Sequence, residues 1–231
     1  MRGQSQPNRT VSLGRAGTVN RLLDCAEMVE LEADEQHEDH PCTALELIAT
    51  DKDLLAYMLQ DVRVLARQVC AGEVLLQRHE TVHWQVHGLA RRAVICDPGA
   101  LAQPVERCIV GFFGERRPDA QQSVVDDIEV DLLFEFRSYP GILSYSSTEL
   151  VDNYWANLVI HAEPSDSQDW RKSVVHQRAV AEISPRQYRS VRIHNGRLPG
   201  GVVGSEAIRI DRTKFWDYGA EGIWDAVRSY A

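Results

Sequence analysis

The stretch NYWANLVIH, residues 153–161, has the alternating pattern of a β-strand, and the rest of the fold is best predicted outward from it. Successive side chains point to opposite faces of a strand. One face would carry Tyr154, Ala156, Leu158 and Ile160, and the other would carry Trp155, Asn157, Val159 and His161. The first face is apolar enough to pack against helices. The second combines an aromatic ring, an amide and an imidazole, which is typical of a ligand pocket wall.

The segments on either side of this strand predict the order β-α-β-β-α-β. A strand over 108–113, a helix opened by Pro118 and Asp119 and a strand over 142–149 come before it. A helix over about 166–183 and a strand over 188–195 come after it. This order is that of a ferredoxin-like α+β domain. Residues 128–136 alternate strictly enough to form a strand instead of a helix, and that alternative stays open.

The whole chain is predicted to divide into four segments. These are a flexible basic arm (1–23), a smaller N-terminal α+β region (24–100), the ferredoxin-like domain (107–196), and a loop with a C-terminal docking helix (197–231). Within the second segment, residues 51–70 have helical periodicity, and residues 73–96 resemble two strands joined at Gly88. Aromatic residues at helical spacing predict the docking helix over 214–230.

Composition excludes several classes of function. The 231 residues carry a net charge of −9, which disfavours nucleic acid and anionic membrane surfaces as partners. The longest apolar run, residues 109–113, is far shorter than the roughly 20 residues of a membrane span. Five cysteines without a C-x-x-C pair indicate a reducing compartment, so we expect a cytoplasmic protein. A targeting signal in the basic arm is the alternative.

Two motifs within residues 108–195 carry a family resemblance. The turn YPGILSY (139–145) and the helix DWRKSVVH (169–176) flank the strand WANLVIH (155–161). This region resembles the antibiotic-biosynthesis-monooxygenase-like group of dimeric α+β barrels. The resemblance implies a homodimer joined through its sheets and a hollow between sheet and helices. The implied activities range from cofactor-free oxygenation through haem degradation to no catalysis, and Trp155, Asn157 and His176 match by type the residues of haem-degrading members.

The resemblance implies a small-molecule-binding enzyme of the monooxygenase-like kind, an oxidoreductase acting on an apolar aromatic or polyketide-like compound. His161 and His194 are the candidate general bases, and Arg192 would hold an anionic oxygen. Trp155, Asn157, Tyr145 and His176 are the candidate substrate-binding residues. A non-catalytic ligand-binding or assembly protein is the alternative. We expect no cofactor, with haem or zinc as the other possibilities.

A competing site lies at residues 79–83, HETVH, which matches the zinc motif H-E-x-x-H. On a helix this spacing puts His79 and His83 on one face for zinc and leaves the glutamate as a general base. The neighbouring residues Val82, Trp84 and Val86 favour a strand, on which the histidines would line an exposed face. A metal-dependent enzyme that uses His79 and His83 is therefore a further alternative.

Overall fold

The computed structural model describes residues 28–150, 154–219 and 221–230. Its strands, within these residues, are β1 (Val29–Leu31), β2 (Glu80–Val86), β3 (Leu89–Ile95), β4 (Arg107–Arg116), β5 (Ile142–Glu149), β6 (Tyr154–His161), β7 (Tyr188–Leu198), β8 (Arg209–Asp217) and β9 (Trp224–Ser229). All nine belong to one sheet in the order β1-β9-β8-β7-β4-β6-β5-β3-β2. Only the pair β1 and β9 is parallel; the other neighbouring strands of the described sheet are antiparallel.

The helices are α1 (Leu45–Cys70), α2 (Pro98–Leu101), α3 (Gln122–Glu135), α4 (Pro164–Trp170), α5 (Val174–Arg178) and α6 (Ser184–Gln187). A π-helical turn, Ala179–Ile183, joins α5 to α6, and short 3-10 turns cover Pro41–Thr43 and Phe136–Ser138. Residues 128–135 are thus helical, which decides between the two alternatives that their alternation left open.

The long helix α1 covers one face of the sheet. Its buried side chains Leu55, Leu59 and Val62 belong to the same core cluster as Ile109 and Leu158 of the central strands. The backbone approaches closely here, because a Cβ at Gly111 would lie 2.9 Å from the Leu55 methyl carbons. Fully burying one such aliphatic side chain contributes roughly 1.5–3 kcal/mol. This apolar contact fixes α1 to β4 and β6.

The segment from α3 to α6 covers the opposite face. Phe136, Ile142 and Trp170 form a buried cluster there with Val94 and Cys96 of the sheet and its edge. The rings of Phe136 and Trp170 meet edge to face at 5.1 Å between centroids, a favourable aromatic geometry. Helices thus lie on both faces of the central strands.

The class is α+β, but the prediction of a ferredoxin-like domain that forms a dimeric barrel is wrong. Residues 107–198 do not form a separate four-stranded unit, because the outer strands β3 and β8 continue the sheet on both sides. A face-to-face barrel also needs a bare sheet surface. The protein's own α1 occupies that surface here. Homodimerisation by another surface stays a prediction.

The predicted C-terminal helix over 214–230 is also wrong. This region contributes β8 and β9, an antiparallel pair in which Phe215 lies opposite Ala226. A helix cannot run through the connection, since Gly222 adopts a φ of 103° that is outside the helical range. The predicted basic arm (1–23) lies outside the described residues. Within the described part of the chain, no helix has the length and apolarity to cross a bilayer.

Candidate functional site

A cavity of about 230 Å³ lies between the sheet and the segment α3 to α6, and we call it the sheet–helix cavity. Val110, Phe112 and Val159 line it from the strands, and Ile128 and Leu132 line it from α3. Lining of this kind is typical of small-molecule sites, which are mostly apolar with few polar groups. An apolar cavity of roughly 150 Å³ holds benzene, so this one has room for a larger ring system.

Two imidazoles lie at one end of the sheet–helix cavity. His161, at the end of β6, is only 1% exposed, and its Nδ1 has no hydrogen-bond partner; the Nδ1 of His176 also has none. Burial, followed by the nearby positive charge of Arg171, lowers the pKa of each imidazole to about 4. Both imidazoles are therefore neutral at pH 7.

The W-x-x-S-x-x-H motif explains how His176 reaches the cavity. Trp170 ends α4 and packs its ring against Tyr139 at 5.0 Å. Ser173 then caps α5, because its Oγ accepts a hydrogen bond from the His176 backbone N–H at 3.0 Å. The Ser173 hydroxyl also donates to a carboxylate oxygen of Glu135. The helix break thus holds His176 in the cavity wall beside Trp170.

A π-helical turn follows directly. Ala179, Val180 and Ile183 of this turn line the same cavity. Single π-helical turns inside helical segments are rare and occur often at functional sites. The cavity wall therefore includes a helical irregularity of a kind that often marks a functional site.

Tyr145 lies in an ion cluster beside the cavity. Its hydroxyl donates to Glu129 Oε1 at 3.2 Å, and Arg92 donates to the same oxygen. Burial, followed by the negative charge of Glu129, raises the pKa of the Tyr145 hydroxyl. Tyr145 therefore remains a neutral hydrogen-bond donor. Asn157, on the neighbouring strand, also lines the cavity, and its buried Oδ1 has no partner.

Arg192 and His194 do not join this site, so the prediction that they share a pocket with His161 is wrong. His194 pairs in register with Gly111 of β4, and Gly111 in turn pairs with Leu158 of β6, which faces α1. There Asp51 of α1 accepts two hydrogen bonds from Arg192, at 2.6 and 2.8 Å, and lies 2.9 Å from His194 Nε2. The polar side of β7 is thus a buried ion cluster.

The zinc motif is not helical, and its histidines do not converge. His79 precedes β2 with a φ of 62°, and His83 lies exposed on that strand. Residues four apart on a strand are separated by roughly 13 Å, too far to share a metal ion. Among the described residues no cluster of three or more His, Cys, Asp or Glu has a geometry for a metal. The predicted metal site at His79 and His83 is therefore wrong.

A haem does not fit the described site either. Pockets for drug-sized ligands span roughly 300–1,000 Å³, and a haem is larger than such ligands, whereas the sheet–helix cavity measures about 230 Å³. Of the three predicted haem-type residues, Asn157 and His176 line the cavity. The placement of the Trp155 side chain lies outside the described part of the chain.

Sequence reasoning missed Asp51, Glu129 and Lys214. Asp51 has a recognisable signal, since it lies four residues before Leu55 on the apolar stripe of α1. Lys214 lines the cavity and is 3% exposed, but the region was predicted to be a helix that packs elsewhere. Arg171 lies inside the quoted DWRKSVVH motif, although it was not assigned a role.

Comparisons with known proteins leave the family open. No family model and no curated protein matches the chain. Similar solved structures include protein SO0527 from Shewanella oneidensis (7% identity, TM-score 0.37, 40% of this chain and 91% of that one). Another is the NE2512 protein of unknown function from Nitrosomonas europaea (12% identity, TM-score 0.36, 41% of this chain and 91% of that one). Both are too distant to indicate function, and the monooxygenase-like resemblance stays a prediction.

Proposed function

We propose that this protein binds a compact, largely apolar molecule, of the size of a small aromatic ring system, in the sheet–helix cavity. The observation that carries the proposal is the cavity itself, about 230 Å³ between the sheet and the α3 to α6 segment. Well-packed interiors rarely leave voids larger than a water molecule. A space of this size, lined by aliphatic and aromatic side chains, favours an apolar ligand over water.

Binding is favoured over proton-transfer catalysis by the state of His161. A general base works best when its pKa lies near the operating pH. The pKa of His161 is lowered to about 4, by burial first and then by Arg171 and His176, so the imidazole is a weak base at neutral pH. The alternative of a non-catalytic ligand-binding protein therefore takes precedence over a monooxygenase-like enzyme, which stays a prediction.

Naphthalene is a suitable probe, because it is apolar and larger than benzene. We expect it to bind the full chain and to change the fluorescence of Trp170 and Trp216, which both line the cavity. The affinity is measured by equilibrium dialysis. Val159→Phe fills the cavity from β6 and should weaken naphthalene binding at least tenfold.

The matched control is Val130→Phe, the same substitution on the exposed side of α3, where the valine is 67% exposed. It should leave naphthalene binding unchanged. Melting temperatures of both variants establish that each is folded. Equal naphthalene affinity in the two variants, or no binding by the unmodified protein, would refute the proposal.

A further inference from the structure

We propose that the ligand of the sheet–helix cavity is a monocarboxylic acid whose carboxylate lies at the end formed by His161, His176 and Arg171. This inference rests on the proposed function and names its ligand class. The apolar body of the acid would fill the space against Val110 and Val159.

The charge of the cavity lining supports an anion. The lining includes two cations, Arg171 and Lys214, and one carboxylate, Glu129. Glu129, Arg171 and Lys214 all have contacts within the protein, and those of Glu129 are with Arg92 and the Tyr145 hydroxyl. The chain as a whole has a net charge of −9. A lining in which cations outnumber carboxylates is therefore a local reversal, and it favours a negatively charged ligand.

The polar groups at one end provide donors for that charge. His161 and His176 each have a buried Nδ1 without a partner, and both imidazoles lie in the field of Arg171. A neutral imidazole carries one N–H donor, and a guanidinium carries five. Arg171 has contacts within the protein, yet five donors allow it to hold a further acceptor. The three side chains together carry enough N–H donors for the acceptor oxygens of one carboxylate.

The apolar surroundings narrow the ligand class. A buried carboxylate is tolerated only when it is paired and hydrogen-bonded, and this end of the cavity supplies both a cation and N–H donors. A phosphate would bring up to two charges and more oxygens into a space lined mainly by aliphatic and aromatic side chains. A neutral alcohol would not benefit from the positive charge of the Arg171 guanidinium. The geometry therefore favours a monocarboxylate with an aromatic or short aliphatic body.

Three probes of nearly equal shape separate the possibilities: naphthalene, 2-naphthol and 2-naphthoate. We expect 2-naphthoate to bind the full chain at least tenfold more tightly than either of the other two. Arg171→Gln should weaken 2-naphthoate at least tenfold and change naphthalene less than threefold. Lys172→Gln is the matched control, since it removes the same charge from the next residue, which is exposed. It should change neither affinity.

The outcomes distinguish this inference from the proposed function. If naphthalene fails to bind, the proposed function is refuted as well. If naphthalene binds but 2-naphthoate does not bind more tightly than naphthalene and 2-naphthol, only the carboxylate assignment is overturned. Equal weakening of all three probes by Arg171→Gln also overturns that assignment. Should Arg171→Gln fail to fold, Arg171→Lys retains the charge and is expected to keep 2-naphthoate binding within fivefold. The ranking of probes by the unmodified protein decides the matter independently of any variant.

Discussion

Asp51→Asn tests whether the polar side of β7 is a structural ion cluster. Asp51 is 3% exposed, and it is held by both Nε and Nη2 of Arg192, which is itself 1% exposed. Asparagine keeps the shape of the side chain but removes its charge. The buried guanidinium would then lose the carboxylate charge beside its Nε and Nη2, and breaking a buried ion pair in this way costs about 3–5 kcal/mol.

The expected loss is large enough for a routine unfolding experiment. In a chain of this length 1 kcal/mol shifts the melting temperature by about 2–4 °C, so the variant should melt about 6–20 °C lower. Urea unfolding followed by circular dichroism gives the free energy directly, with an unchanged m-value if the native state stays compact. Asp53→Asn, an exposed position on the same helix, should shift stability by less than about 0.5 kcal/mol.

A second substitution separates pairing from burial. Replacing both partners with apolar residues, Asp51→Leu with Arg192→Met, removes the uncompensated charge and should recover much of the lost stability. Naphthalene affinity should stay the same in folded Asp51→Asn, because the cluster lies on the face opposite the sheet–helix cavity. A loss below about 1 kcal/mol for Asp51→Asn, or a weakened naphthalene affinity, would refute this assignment of faces.

Three further predictions concern core packing, pH dependence and oligomeric state. Leu158→Ala, fully buried under α1, should cost about 2–5 kcal/mol in urea unfolding, whereas Val130→Ala on the exposed side of α3 should cost less than about 0.5 kcal/mol. Stability should fall as the pH drops from about 7 toward 4, because the folded chain keeps His161 and His176 neutral while the unfolded chain protonates them. The unfolding free energy should change by up to about 1.4 kcal/mol per pH unit for each histidine. Urea unfolding at pH 7 and pH 5 measures this change, which should be smaller in the variant with both His161→Gln and His176→Gln. Light scattering at micromolar concentration should show twice the mass of one chain, and a monomer mass would contradict the homodimer prediction.

Helices, strands and turns that depend on neighbouring residues could be predicted from the sequence. The periodicity of residues 51–70 predicted the body of α1, and the strand predicted after the Pro140-Gly141 turn is β5, with the bounds that the structure has. The turn predicted at Gly88 is also present: His87 and Gly88 both adopt positive φ in the tight hairpin between β2 and β3. The extent of the sheet was not predictable in this way. Strand pairing is non-local, and nothing within β3 or β8 specifies which strand lies beside it.

The cavity was predictable in part, and the failure has a specific physical cause. The strand faces were assigned by their polarity, which placed His161 of β6 and His194 of β7 in one pocket. A polar strand face can equally well belong to a buried ion cluster. The distinguishing signal lies on the partner element: Asp51 interrupts the apolar stripe of α1, and a charge at such a position needs a buried counter-ion. Arg192 supplies that counter-ion, so His194 belongs to the ion cluster and not to the cavity. The second imidazole in the cavity is that of His176, from the DWRKSVVH segment.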